Sequence, residues 1–226
     1  MILSIDTSTA QAGIALTDGE NVRGEISWVT AANHSTDLFA AFDTLWRLTG
    51  ASIEEVTAVA IASGPGSFSG IRVGMSAGKA MALARGIPLV GIPTLDAIAL
   101  AARPAPRVWS ILPAGRGQLY VAAYRTDTQP LERESPYEID GVSTMADRLM
   151  PGDVVAGEGI ELVRAMMADS AQIHWQPPPA RLRRAAYLAE LARAYFASGG
   201  HDQILGAEPL YLRRSAAEEK RDASRE

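Results

Sequence analysis

Gly64-Pro-Gly-Ser-Phe-Ser-Gly-Ile-Arg-Val-Gly74 is the stretch on which the reading of this chain turns. It follows a short apolar run, Ala58 to Ala62, bounded by turn residues as a buried strand would be. It leads into Ile71 to Ala84, rich in helix formers and free of proline. A strand, a tight Gly-Pro-Gly turn and a helix start together present backbone N–H groups outward, where the helix dipole favours negative charge. Two readings stand side by side: a cradle for a phosphate or carboxylate, or a plain tight turn that packs a helix on a sheet.

Upstream, Ile2, Leu3 and Ile5 alternate into Asp6-Thr7-Ser8-Thr9, then Ala12 to Leu16, then a turn at Asp18-Gly19. This predicts two strands joined by a hydroxyl-rich turn, with Arg23 to Val29 as a third. His34 to Asp37 offers cap residues for a helix running to about Leu48 and stopping at Gly50, and Ser52 with Glu55 is a capping box. Ile87 to Gly91 reads as a strand, and Thr94 starts an apolar helix ending before Pro104. Arg103-Pro-Ala-Pro106 is the linker candidate, dividing an α/β lobe at 1–104 from a smaller α/β lobe at 105–226. In the second lobe, Val108 to Leu112 and Gln118 to Tyr124 bracket Gly115-Arg116-Gly117 as a hairpin, and Thr126 to Pro136 is polar loop. Val154 to Ala156, Gly157-Glu-Gly159 and Ile160 to Met167 imitate a dinucleotide fingerprint, but the third glycine would fall at Leu162, so the pattern fails. Arg183 to Ala197 predicts an amphipathic helix closed by Gly199, and the mixed-charge tail after Arg213 reads as frayed.

Composition narrows the function. The absence of cysteine removes disulfides, thiolate metal sites and cysteine nucleophiles, and no apolar run reaches the roughly 18 residues of a membrane span. Cytoplasmic residence is the default expectation. A net charge of −5 argues against nucleic-acid binding by the chain alone. His34, His174 and His201 lie far apart in sequence, so no metal site is expected. Ser67 and Ser69 have no evident His–Asp partners, which disfavours a serine protease. Arg181, Arg183 and Arg184 read first as a solvated basic turn and second as a nucleic-acid contact made within a complex.

Gly70, Gly74, Gly78 and Ala82 recur every four residues along the helix after the loop. Each internal glycine costs about 1 kcal/mol relative to alanine, so the stripe implies close approach of another backbone. An external partner helix and packing within the chain both satisfy that requirement. Met75 lies on a neighbouring face, and Leu38, Phe39, Phe42, Leu45 and Trp46 make a wide apolar arc on the preceding helix. These residues, with Arg72, form the expected partner surface. Arg72 stands at the wrong end of the helix for the dipole, which suits an anion or partner carboxylate as well as plain solvation.

The first strand, Thr7-Ser-Thr9 turn and return strand resemble the first phosphate hairpin of the actin/hexokinase/heat-shock-protein ATPase superfamily, whose core is ribonuclease-H-like. Gly64 to Gly74 resembles the signature of one branch, the TsaB (YeaZ) family, as do His34-Ser35, Pro93-Thr94-Leu95 and Glu208-Pro-Leu-Tyr-Leu-Arg213. The resemblance implies a two-lobed actin-like α/β fold with a reduced second lobe and a non-catalytic subunit in tRNA threonylcarbamoyl-adenosine synthesis. It implies pairing with a TsaD-like paralogue, recruitment of a TsaE-like ATPase, and tRNA contact only through the complex. It implies no catalytic residue and no obligatory cofactor, and leaves ATP or ADP at the partner interface open. Asp6, Thr7, Ser8, Gly64, Gly66 and Ser67 are the candidates for a vestigial nucleotide site. Pro113-Ala-Gly-Arg-Gly-Gln-Leu-Tyr120 and Ala32-Asn33 depart from the family pattern and lose charged positions. Two alternatives remain: a small ATPase or phosphotransferase using the Thr7 hairpin and the Gly64 loop, and a stand-alone homodimeric binding module.

Overall fold

The computed structural model describes residues 1–30, 33–167 and 172–213; the departure at Ala32 and the tail beyond Arg213 lie outside them. β1 (Ile2–Asp6), β2 (Gln11–Asp18) and β3 (Asn21–Val29) form an antiparallel meander. The short turn of Thr7 to Ala10 enforces this, because two strands so closely joined can only run antiparallel. α1 (His34–Thr49) starts where the Asn33 side chain accepts from the Thr36 N–H, and ends at Gly50 with φ 64°. The Ser52–Glu55 capping box holds one 3-10 turn, the Ser52 N–H donating to Glu55 at 2.8 Å. β4 (Ala58–Gly64) then lies parallel to β1 and is buried along its whole length, as a strand covered on both faces must be.

α2 (Phe68–Arg85) begins three residues earlier than Ile71, because the Ser67 side chain accepts from the Gly70 N–H and caps the helix there. β5 (Leu89–Pro93) completes a five-stranded sheet of order β3-β2-β1-β4-β5. α3 (Thr94–Ala101) follows. The second sheet holds β6 (Val108–Gly115) and β7 (Gln118–Arg125) as a hairpin, β8 (Glu132–Arg133) within the expected polar loop, and β9 (Glu138–Gly141). α4 (Val142–Arg148), β10 (Val154–Ala156), α5 (Ile160–Arg164) and β11 (His174–Trp175) follow, with strand order β11-β10-β6-β7-β8 and β9 also paired to β7. α6 (Ala186–Ala197) closes the described elements.

Side-chain alternation sorts these elements into layers. Leu3, Ile5, Ile14, Val59 and Ile61 face α1 and α2; Ala60, Ala62, Val90 and Ile92 face the other way, onto Leu188 and Ala192 of α6. Leu95 and Ile98 of α3 pack on Val108, Leu112 and Tyr124 of the second sheet, whose opposite face buries Trp109, Ile111 and Val121 under α4 and α5. α3 thus sits between the sheets, and α6, which lies beyond residue 104, packs back on the first sheet. After α6 the chain covers the open edge of β5: the Gln203 N–H donates to Leu89 O at 2.8 Å, and the Gly91 N–H donates to Gln203 Oε1 at 3.1 Å. Among the described residues, no helix is long and apolar enough to cross a membrane.

Candidate functional site

The β1–β2 turn and the Gly64 loop meet at the ends of two adjacent strands, so the fold brings Asp6, Thr7, Ser8, Gly64, Gly66 and Ser67 together. It presses them against one another. The Ser67 N–H donates to Ser8 O at 2.6 Å, and a Cβ on Gly66 would run into that same carbonyl. Thr7 Oγ1 donates to Gly70 O at 2.7 Å. Gly64, at φ 105°, lies beneath Leu210, whose N–H donates to Ser63 O at 2.7 Å. Of the two readings of this stretch, the geometry displays the tight turn, docked on the first hairpin and roofed by the C-terminal segment. Asp6, Thr7 and Ser8 are all buried.

Asp6 has a partner that the sequence did not announce. Arg183, expected in a solvated turn, is 7% exposed and points into the base of the first hairpin. Its five N–H donors are all engaged. Nε donates to Asp6 Oδ2 at 2.9 Å, and Nη2 to Asp6 Oδ1 at 3.4 Å and Gln11 O at 2.6 Å. Nη1 donates to Thr9 Oγ1 at 2.9 Å and ion-pairs with Glu158. The Arg183 N–H is also bound, to Gln11 Oε1 at 3.0 Å, and α6 begins only at Ala186. Burial pushes the Asp6 carboxyl up, but the Arg183 charge and the hydrogen bonds from Arg183 and Ser8 prevail and hold it below the usual carboxylate range. Both Asp6 oxygens are committed inside the protein. Glu158 comes from the Gly157-Glu-Gly159 turn that imitated a fingerprint. Gly157, at φ 108°, packs so closely on Ile111 O that only glycine fits, and this aims Glu158 at Thr9.

The expected partner surface divides in two. Gly70, Gly74 and Gly78 face inward: a Cβ on each would meet Thr7 O, Thr7 Oγ1 and Ile61 Cγ2 respectively. Ala82 and Met75 are buried in the same core, as are Leu38, Phe42 and Leu45 of α1. The glycine stripe is therefore the device that lowers α2 onto β1 and β4, and its placement on an outer surface is corrected. Phe39 is 64% exposed, Trp46 is half-buried, and Arg72 is exposed. Leu48, and Leu83 on a face neighbouring the glycine stripe, are also exposed, and Ser76, Ala80 and Ala84 form a second, outward stripe on α2, while Val73 and Ala77 are part-buried against the core. The signal for this outer stripe was present as a four-residue spacing offset from the glycines.

Arg72 is held by its own chain. Its guanidinium lies 3.8 Å from the Phe68 ring centroid, Nε donates to Tyr211 Oη at 2.9 Å, and Tyr211 stacks on Phe68 at 4.7 Å. Arg213 donates to Ala114 O at 2.7 Å and also to Gln118, so the departed hairpin keeps a tie to the Glu208–Arg213 segment. His34 is half-buried beside Gly70; burial pushes its pKa below the ordinary histidine value, against the opposing Asp37 and Asp6 charges. His174 lies on β11 and His201 after α6. Among the described residues, no three His, Asp or Glu side chains converge as metal ligands would.

The family model described as "TsaD: tRNA N6-adenosine threonylcarbamoyltransferase" matches residues 22–177. The chain is 27% identical to the tRNA threonylcarbamoyladenosine biosynthesis protein TsaB of Escherichia coli, over 97% of each chain. It is 28% identical to the protein of the same name from Bacillus subtilis, over 97% of this chain and 96% of that one. The solved structure of YeaZ from Pseudomonas aeruginosa superposes with a TM-score of 0.78 at 22% identity, covering 93% of this chain and 99% of that one. That likeness places the two sheets and their helices in the actin-like fold. The chain belongs to the TsaD family of tRNA N6-adenosine threonylcarbamoyltransferase proteins, in its TsaB (YeaZ) branch.

Proposed function

We propose that this chain acts in the synthesis of threonylcarbamoyl-adenosine on tRNA, as a non-catalytic subunit that pairs with a TsaD-like paralogue and helps to recruit a TsaE-like ATPase. What supports this reading is the end-to-end match to two curated TsaB proteins. The geometry supports it: Asp6, an acid beside the glycine loop, is engaged by Arg183, while the α1–α2 layer turns Phe39, Leu83 and the Ser76–Ala80–Ala84 stripe to solvent. Small residues on an outer stripe let a second helix approach closely, and flanking aromatic and leucine side chains supply the apolar area such contacts need. In this reading the same face also supports a homodimer when the paralogue is absent, and tRNA meets the chain only within the complex.

The test is a reconstitution with the TsaD-like and TsaE-like proteins, the adenylate-forming enzyme and tRNA of the same organism. Omission of this chain should abolish modified adenosine, and sedimentation should give a one-to-one complex with the TsaD-like protein. Unchanged product without a complex would reject the subunit role.

A further inference from the structure

The Arg183 cluster is assembled from three separate pieces of chain. Asp6, Thr9 and Gln11 belong to the first hairpin, Glu158 to the second sheet's β10–α5 turn, and Arg183 to the segment entering α6. Thr9 Oγ1 reaches both Glu158 oxygens, at 2.9 and 3.1 Å, so the two lobes are tied side chain to side chain at this point. Elsewhere between them, a cleft of about 770 Å³ lies open among Val22, Leu100, Arg103, Leu131 and Tyr187. Besides the packing of α3 and the 208–213 segment, which also touch both sheets, the lobes are fastened at this buried cluster and parted at the cleft. The fastening is buried: the Asp6 and Arg183 side chains are each 5% exposed and that of Glu158 17%. A buried guanidinium with every donor used has little tolerance for displacement, because separation leaves charges unpaired away from water.

We propose that Arg183 is a built-in cation that locks the two lobes in one arrangement, at the hairpin end where the resemblance to actin-like ATPases places phosphate. A bound nucleotide is then neither needed to set the lobe arrangement nor able to change it. Glu158 is the element of the lock that joins the second lobe; Asp6 anchors the guanidinium in the first.

The chain lacks cysteine, so spin labels can be placed at will, one at Asp43→Cys on the exposed side of α1 and one at Asp147→Cys on α4. Double electron–electron resonance should give one narrow inter-lobe distance peak, unmoved by millimolar magnesium-ATP. Glu158→Ala, which leaves the Arg183–Asp6 pair intact, should broaden that peak toward longer distances, and Arg183→Met should broaden it further where the variant folds. A Glu158→Ala peak superimposable on the parent's, or a parent peak that shifts with magnesium-ATP, overturns the proposal.

Discussion

At the scale of single residues, the chemistry gathers at Asp6. Its carboxyl is held below its ordinary value of 3.8, so its ionised form stabilises the fold above that pH. This contribution is lost as pH falls from about 4 through the depressed folded value. Urea midpoints measured from pH 5 down to pH 2.5 should therefore fall more steeply for the parent than for Asp6→Asn, whose profile lacks this component. Arg183→Ala leaves Asp6 buried without its partner and should destabilise by about 3–5 kcal/mol at pH 7. A Tm within 2 °C of the parent would contradict this. Asp6 was legible in the sequence as an acid at the end of a buried strand, and such an acid requires a counter-charge. Which arginine supplies it was not legible, because the pairing spans most of the chain and no local pattern marks Arg183 off from Arg181 and Arg184.

At the scale of elements, α2 carries two small-residue stripes with opposite duties. The inner one seats the helix on β1 and β4, so Gly74→Leu should drive a side chain into Thr7 and Ile5. Thermal melting should show a loss of about 1–3 kcal/mol or outright misfolding, the ordinary result of overpacking a core. The outer one is free, so Ala80→Arg should leave the melting curve within about 0.5 kcal/mol of the parent. In sedimentation with the TsaD-like protein the same variant should fail to form the complex. A four-residue spacing announces a stripe but not the direction it faces; that depended on β1 and β4 lying beneath, a tertiary fact. Local caps were legible in part: Gly50 ends α1 at φ 64° and the Ser52–Glu55 box was read, whereas the Ser67 cap that starts α2 before Ile71 was hidden within the glycine loop.

At the scale of the whole molecule, the division into two sheets could be read from the strand and turn pattern and from the proline pair near residue 104. The return of α6 could not, because an amphipathic helix states that it has a buried face without stating which sheet it covers. Ala60, Ala62, Val90 and Ile92 are buried by a helix some hundred residues downstream. Truncation after Arg181 should therefore leave the second sheet's hairpin formed while the first sheet loses amide-exchange protection along β4 and β5. The arrangement also has a consequence for birth on the ribosome. The second sheet is contiguous in the chain and can fold as it emerges, whereas the first must wait, one apolar flank bare, for α6 to be translated. At roughly 5–20 residues per second that wait lasts about 5–20 s. The nascent protein is thus an evident client for a chaperone at the tunnel exit, and synonymous codon choice between β5 and α6 becomes a lever on its yield.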